Sequence, residues 1–501
     1  MEEIGLKFII KCLPVFILGV ILFVPSALAD NTVKRIGGST RYDTAVLAAK
    51  QSWGEAKTVI ITGGTSYADA IAAAPLAYQK NAPLLFTNKD QLSAGTKKGL
   101  IDLKTKNVII VGGTPAVSKN TANQIAKLGI SVKRLSGSTR YATAAKVAGE
   151  MTRSSTALVV NGFVDADGMA AISYASAKKY PILFTNDSTL NGSASNAIKS
   201  LGIKNTIVIG GTSSISSSLY NKLPNPSRIS GKNRYNLSVN LAKKTGLSTG
   251  YTFVTNGFKE ADTIVGGVLS AKQGRVHLLT NGDSLSKDVR TYIGSKNITS
   301  FTVIGSASSL SNNAASQLKN PVVGKTVFID PGHGYQDSGA TGNGLLEKNV
   351  NLDIATRLNN QLYGAGALTV MSRKGDTFDS LEERVNKGAK ANADIFISVH
   401  ANANDNSSAN GTETYYDKTY QSANSLRLAQ NIQPRMVSAL GTRDRSVKTA
   451  GFYVIKYSKM PSVLLETGFV TSPIDANILK QSTKKDRLAA GITQGVSSYF
   501  R

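Results

Sequence analysis

The sequence has 501 residues, a formal net charge of +26, 41% hydrophobic residues, three histidines and one cysteine. That length exceeds one ordinary core, so two or more domains are expected, and a single cysteine excludes both a disulfide framework and a cysteine-ligated zinc. No low-complexity tract interrupts the chain, so its bulk is read as globular.

In chain order, residues 1–29 read as a secretory signal. Lys7 and Lys11 precede an uncharged apolar run from Cys12 to Ala29, which ends Ala27-Leu28-Ala29 before Asp30. Cleavage after Ala29 would remove the only cysteine and leave a secreted, cysteine-free chain. The run is short for a membrane anchor, and no other stretch reads as a transmembrane span.

Residues 30–323 contain an internal repeat. RIGGSTRYDTA, RLSGSTRYATA and RISGKNRYNLS place Arg41, Arg140 and Arg234 at intervals of 99 and 94 residues. Two further blocks recur: VIITGGTSYADAIAAA with LVVNGFVDADGMAAI and FVTNGFKEADTIVGG, then VIIVGGTPAVS with TIVIGGTSSIS and FTVIGSASSLS. The period is too long for a usual solenoid, so each copy is read as a compact α/β unit. In the first copy, strands are predicted at Thr58–Thr62, Pro83–Phe86 and Asn107–Val111, and helices at Tyr67–Tyr78 and Val117–Leu128. Continuous apolar strands alternating with helices predict a parallel sheet covered on both faces. No GxGxxG or P-loop is present, which disfavours a nucleotide site.

These blocks resemble the cell-wall-binding type 2 repeats, over about residues 33–320. The third copy departs from the last block, with Ser306 in place of the second glycine. The resemblance implies three modules around a pseudo-threefold axis, anchored non-covalently to an anionic wall polysaccharide. Charge agrees: residues 30–323 hold 35 Lys and Arg against 14 Asp and Glu, whereas residues 324–501 hold 21 against 16. Such a basic excess suits a polyanion. Nucleic acid is disfavoured, since no recognition motif appears. The repeated Arg-Tyr pairs Arg41-Tyr42, Arg140-Tyr141 and Arg234-Tyr235 have two readings: phosphate and sugar recognition, or a structural pair between modules.

After the short junction Asn320–Lys325, an apolar run Val327–Ile329 predicts a buried strand that stops at Asp330-Pro331-Gly332, directly before His333. A Gly-rich loop leads to Glu347, which opens an amphipathic helix. Asp394–Val399 predicts a second strand, running into His400-Ala401-Asn402. Side by side in a parallel sheet, the two strand ends put both imidazoles on one edge, where α/β sites lie. Two histidines and a glutamate form a zinc set with a fourth position open, the pattern of a catalytic site. A third run, Pro461–Leu465, ends at Glu466, a carboxylate on the same edge able to move protons. His277, in GRVHLLTNGD, belongs to the repeats and is read as an ordinary hydrogen-bonded side chain.

The blocks FIDPGHG, LLEKNVNLDIA, SRKGDTFDSLEERVNKGAKANADIFISVHANA, GTETYY and PSVLLETGFVTSP resemble the zinc-dependent N-acetylmuramoyl-L-alanine amidases, type 3, over about residues 325–499. The resemblance implies Zn²⁺ on His333, Glu347 and His400, with Glu466 as the catalytic carboxylate. Arg373, Asp376, Arg384 and Asn402 are implied supports of the site. Val470-Thr471-Ser472 departs from the usual ending of the last block.

The expected organisation is therefore a signal peptide (1–29), repeats at 30–133, 134–227 and 228–320, and an α/β amidase domain at 321–501 with a twisted, mostly parallel sheet. The expected activity is hydrolysis of the amide between N-acetylmuramic acid and L-alanine in peptidoglycan, by a secreted autolysin held at the cell wall. Two alternatives stay open: a zinc peptidase acting within the stem peptide, and a surface-layer or adhesin protein with a degenerate enzyme domain.

Overall fold

The computed structural model describes residues 30–65 and 67–501. The leader expected over residues 1–29, Cys12 included, lies outside them.

The repeat region holds three four-stranded, all-parallel sheets. In the first copy the strands Thr58–Gly63, Leu84–Thr87 and Asn107–Val111 and the helices Tyr67–Gln79 and Lys119–Ala126 fall where the pattern predicts. The Arg-Tyr blocks are helix starts. Thr40 caps the helix Arg41–Lys50 in a reciprocal box with Asp43, and Thr139 and Asn233 cap the helices Arg140–Gly149 and Arg234–Thr245.

Sheet membership is offset by one strand from the sequence repeat. The strand ahead of each Arg-Tyr helix completes the sheet of the preceding copy: Ser131–Leu135 pairs with Asn107–Val111, and Pro226–Ile229 with Asn205–Ile209. The first such strand, Thr32–Ile36, pairs with Ser300–Ile304 of the third copy, so the ends of the region close on each other. At the centre, the helices Tyr67–Gln79, Asp165–Lys178 and Glu260–Lys272 each contact the other two. Glycine permits this approach: a Cβ on Gly168 would lie 2.9 Å from Ile71, and one on Gly267 would lie 2.7 Å from Ile172.

The C-terminal region is one six-stranded sheet in the order Leu368–Met371, Thr326–Pro331, Ile395–Asn402, Ser462–Phe469, Thr412–Tyr416, Asp444–Thr449. All neighbours are parallel except Thr412–Tyr416, which runs antiparallel to Ser462–Phe469. The helices Glu347–Gly364, Ser422–Leu440 and Ser482–Tyr499 pack together on one side of the core. Leu381–Lys390 and Tyr453–Tyr457 pack beside a second cluster containing the stacked rings of Phe328 and Phe396.

The junction between the regions is docked. Val323 belongs to the core of the third repeat and its neighbour Val322 to the core of the C-terminal sheet. Arg290, buried in the third repeat, donates from Nη1 to Tyr363 O and Ala367 O, each at 3.1 Å, with its guanidinium 4.0 Å from the Tyr363 ring. Hydrogen bonds from a charged donor contribute about 1.5–3 kcal/mol. Arg290→Met is therefore expected to loosen the junction, read as faster proteolysis within residues 320–325 and a larger radius of gyration in X-ray scattering. Unchanged values would contradict this role.

Candidate active site

Three parallel strands deliver the site. Pairing sets Pro331 opposite Val399 and His400 opposite Glu466, so these residues lie level across the three strands. Gly332 follows, and only glycine fits there: a Cβ would sit 2.2–2.7 Å from the His400 ring atoms. His333 takes a left-handed conformation (φ 62°) that turns the chain into the loop. The loop returns through Gly339 (φ 62°), where a Cβ would lie 2.6 Å from Glu347 Oε2 and 2.7 Å from the His333 ring. Glu347 then begins the helix Glu347–Gly364.

His333, Glu347 and His400 converge, with one donor atom from each lying within 4.8 Å of the others. Among the described residues they form the one cluster of three or more potential metal ligands. Glu347 Oε1 lies 3.2 Å from His333 Nε2 and 2.9 Å from His400 Nδ1. It also accepts from Ala401 N at 3.2 Å, while Oε2 accepts from Ala340 N at 2.8 Å. Burial opposes the charge on Glu347, but His333 and His400 outweigh it and hold the carboxyl well below the usual range. His333 Nδ1 contacts Asp337 Oδ2 at 2.8 Å, which orients the ring with Nε2 toward the cluster.

Glu466 stands beside His400 in register, 9% exposed, and its Oε2 is buried without a hydrogen-bond partner. Burial, then the charges of Glu347 and Glu413, raise its pKa well above the ordinary carboxylate value. The strand runs on to Phe469, so Glu466 is an interior strand residue rather than a strand end.

The supporting residues act on the backbone around the cluster. Arg373 Nη2 donates to Gly332 O (2.9 Å) and Lys348 O (2.8 Å), tying the strand end to the helix start. Arg384 Nη1 donates to Asp330 Oδ1 (2.8 Å) and Pro331 O (2.7 Å), and its Nη2 donates to His333 O (2.9 Å). Asp376 accepts from Tyr335 N and from Lys348 Nζ, each at 2.7 Å. Asn402 Nδ2 donates to Glu413 Oε1 at 2.8 Å.

Sequence reasoning gave Glu413 no role, although its block GTETYY was in view. Thr412–Tyr416 brings it antiparallel to Ser462–Phe469, directly opposite Glu466. Glu413 is 2% exposed and is held charged by Lys448, Arg445 (2.9 Å) and the Tyr415 hydroxyl (2.9 Å). Asp337 was also missed; its signal was a carboxylate four residues after His333.

The Val470-Thr471-Ser472 departure is accommodated at the rim. Val470 O accepts from Asn343 Nδ2 at 2.9 Å and Thr471 Oγ1 from Asn404 N at 3.0 Å.

In the repeats, the Arg of each Arg-Tyr pair contacts a carbonyl within its own copy: Arg41 to Gly64 O (2.6 Å), Arg140 to Gly162 O, Arg234 to Gly257 O (2.6 Å). Arg140 and Arg234 also cover Phe163 and Phe258 at 4.3 and 3.9 Å. These arginine contacts lie within single copies, while the helices that the Arg-Tyr pairs open pack against the central helix of a neighbouring copy: Arg41–Lys50 on Glu260–Lys272, Arg140–Gly149 on Tyr67–Gln79 and Arg234–Thr245 on Asp165–Lys178. His277 is buried, with Nε2 2.9 Å from Thr255 Oγ1, and burial lowers its pKa to about 3.

The sheet edge holds a possible metal site of the hydrolytic type, and comparison with known proteins gives its class. Residues 327–498 match the N-acetylmuramoyl-L-alanine amidase family, and residues 35–122, 134–220 and 228–315 match cell wall binding domain 2. The chain belongs to the N-acetylmuramoyl-L-alanine amidases. It is 61% identical over 492 residues to the N-acetylmuramoyl-L-alanine amidase LytC of Bacillus subtilis (strain 168), covering 98% of this chain and 99% of LytC. It is 34% identical over 287 residues to the amidase enhancer of B. subtilis, covering 57% of this chain and 40% of that protein. Cwp6 from Clostridium difficile, a solved structure, aligns with a TM-score of 0.58 at 28% identity, over 93% of this chain and 79% of Cwp6. Among the described residues, no helix is long and apolar enough to cross a membrane.

Proposed function

We propose that the chain is a zinc-dependent peptidoglycan hydrolase that cuts the amide between N-acetylmuramic acid and L-alanine while its repeats hold it on an anionic wall polymer. The observation that carries the catalytic part is the convergence of His333, Glu347 and His400 beside a buried carboxylate oxygen without a partner on Glu466. Two imidazole nitrogens and one carboxylate oxygen are the donor chemistry of a catalytic zinc site, so the residues present fit the ion. Zn²⁺ held there would polarise the scissile carbonyl and lower the pKa of water.

The chain's own groups supply the rest. Glu466 takes the proton of the attacking water, through an oxygen that no protein donor occupies, and delivers it to the departing L-alanine nitrogen. Burial, then the charges of Glu347 and of Glu413, which Lys448 and Arg445 pin, favour the protonated form of Glu466 that must donate. Arg384 and Arg373 fix the carbonyls of residues 331–333, so the His333 ring does not wander during the reaction. Dialysis against a chelator is expected to abolish turnover, and stoichiometric Zn²⁺ to restore it. Turnover that survives complete removal of metal would overturn the zinc assignment.

Two features support anchoring by residues 30–133, 134–227 and 228–320, with cutting by 321–501. The first is the excess of 35 Lys and Arg over 14 Asp and Glu in residues 30–323. The second is a pair of equivalent polar clefts at module junctions that could seat a hydroxyl-rich sugar chain rather than its charges, since Arg41 and Lys259 stand with Glu260 and Asp262 in one, and Arg140 with Asp69 and Asp165 in the other. In this reading the protein is secreted after loss of residues 1–29 and works at the cell wall. Binding of the full chain to purified walls is expected to fall when the anionic polymer is stripped by acid; equal binding to stripped walls would point to peptidoglycan itself as the anchor.

A further inference from the structure

Beside the cluster, the sheet edge opens into a groove of about 320 Å³ that includes His333 and His400 in its lining. One wall is the segment entering the helix Leu381–Lys390, which presents Phe378 and Leu381. The start of the helix Tyr453–Tyr457, which packs against Leu381–Lys390, adds Phe452 and Tyr453. These four side chains are 45, 54, 40 and 37% exposed in that order. Large apolar side chains left exposed together around a cleft mark a binding surface.

The polar groups of the groove limit what it can bind. Arg384 is the one Lys or Arg in the lining, and it is committed to Asp330, Pro331 O, His333 O and Asp379 O. The other charged side chains are the carboxylates Asp330, Asp337 and Asp379. An acidic stem peptide would find no free cation here. Asp379 binds Lys387 through Oδ1 at 2.6 Å, whereas its Oδ2 is buried without a hydrogen-bond partner. Aromatic walls without a free cation suit a neutral ring that offers C–H faces.

We infer that this groove is the saccharide subsite: it takes the N-acetylated sugars on the carbonyl side of the scissile amide, and the stem peptide leaves on the other side of the cluster. The inference rests on reading His333, Glu347 and His400 as the catalytic centre, with which the groove is continuous. Phe378 and Phe452 set how far the enzyme prefers a longer glycan.

The test uses the full chain and soluble fragments bearing one stem peptide on one, two or four sugars, with products identified by mass spectrometry. The wild type is expected to gain about tenfold in kcat/KM from the shortest glycan to the longer ones, the size of one aromatic stacking contact. Phe378→Ala and Phe452→Ala should each erase that gain and leave the response to stem-peptide length unaltered. Phe452 also packs edge-on to Tyr415 at 5.1 Å, so Phe378→Ala is the variant with less structural consequence. A second arm reads binding without turnover: saturation-transfer NMR of neutral N-acetylglucosamine disaccharide, or of free stem peptide, on Glu466→Gln protein. Adding Phe378→Ala should weaken the disaccharide and not the peptide.

Variants that keep the glycan dependence, or that change the stem-peptide dependence instead, would overturn the subsite. If Glu466→Gln retains turnover while disaccharide binding still depends on Phe378, the catalytic reading of Glu466 fails and the subsite stands.

Discussion

Replacing Glu466 with glutamine is expected to lower kcat by about 10²- to 10⁴-fold, the usual scale of a lost general acid–base. The substitution preserves shape and volume in a position only 9% exposed, so the fold is expected to hold. What it removes is the ability to carry a proton. Glutamine's amide would occupy the place of the unpartnered Oε2 and could neither accept the water proton nor donate to the leaving nitrogen. Bound zinc, measured by atomic emission, should equal that of the wild type, because His333, Glu347 and His400 are untouched. Full activity in this variant would remove Glu466 from the mechanism; loss of zinc together with activity would make it a ligand instead.

The second large effect is structural. Arg384→Met is expected to destabilise the C-terminal domain by about 3–5 kcal/mol, since it leaves a buried carboxylate without its cation. Asp330 and Arg384 are 1% and 3% exposed, so water cannot compensate. Ser372 and Ser398 would still donate to Asp330, at 2.7 and 2.9 Å, but they carry no charge. Arg384 also holds Pro331 O and His333 O, so activity should fall before the domain melts. Thermal unfolding of this variant beside Asp330→Asn/Arg384→Met measures the pair: the double variant should recover part of the loss, because the orphaned charge is gone. Wild-type stability in the single variant would contradict the account.

The site was legible in the sequence because its signals are local. In each of the three strands an apolar run gives way to a residue carrying chemistry, in DPGHG, SVHANA and LLETGF, although the strands of His400 and Glu466 continue past them to Asn402 and Phe469. Once those strands lie parallel, the residues that close the three apolar runs come side by side, as the observed registers of Pro331 with Val399 and His400 with Glu466 record. Glu413 was not legible for the converse reason. It reaches Glu466 only because Thr412–Tyr416 enters the sheet antiparallel, and nothing within GTETYY encodes strand direction. The closure of the repeats escaped notice similarly: Thr32–Ile36 pairs with a strand some 268 residues away, and its polar, half-exposed pattern does not announce a strand. The Arg-Tyr pairs had two readings because a guanidinium serves a phosphate or a carbonyl equally well; three matching carbonyl contacts within single copies favour the structural one.

The account's central claim is the bond that is cut and the centre that cuts it. Purified peptidoglycan should be digested with the full chain, with and without a chelator, and the products read by mass spectrometry. The account predicts intact stem peptides with a free L-alanine amino terminus, lost on chelation and recovered with Zn²⁺. Shortened stem peptides still attached to glycan, or unchanged peptidoglycan from folded, zinc-loaded protein, would contradict it.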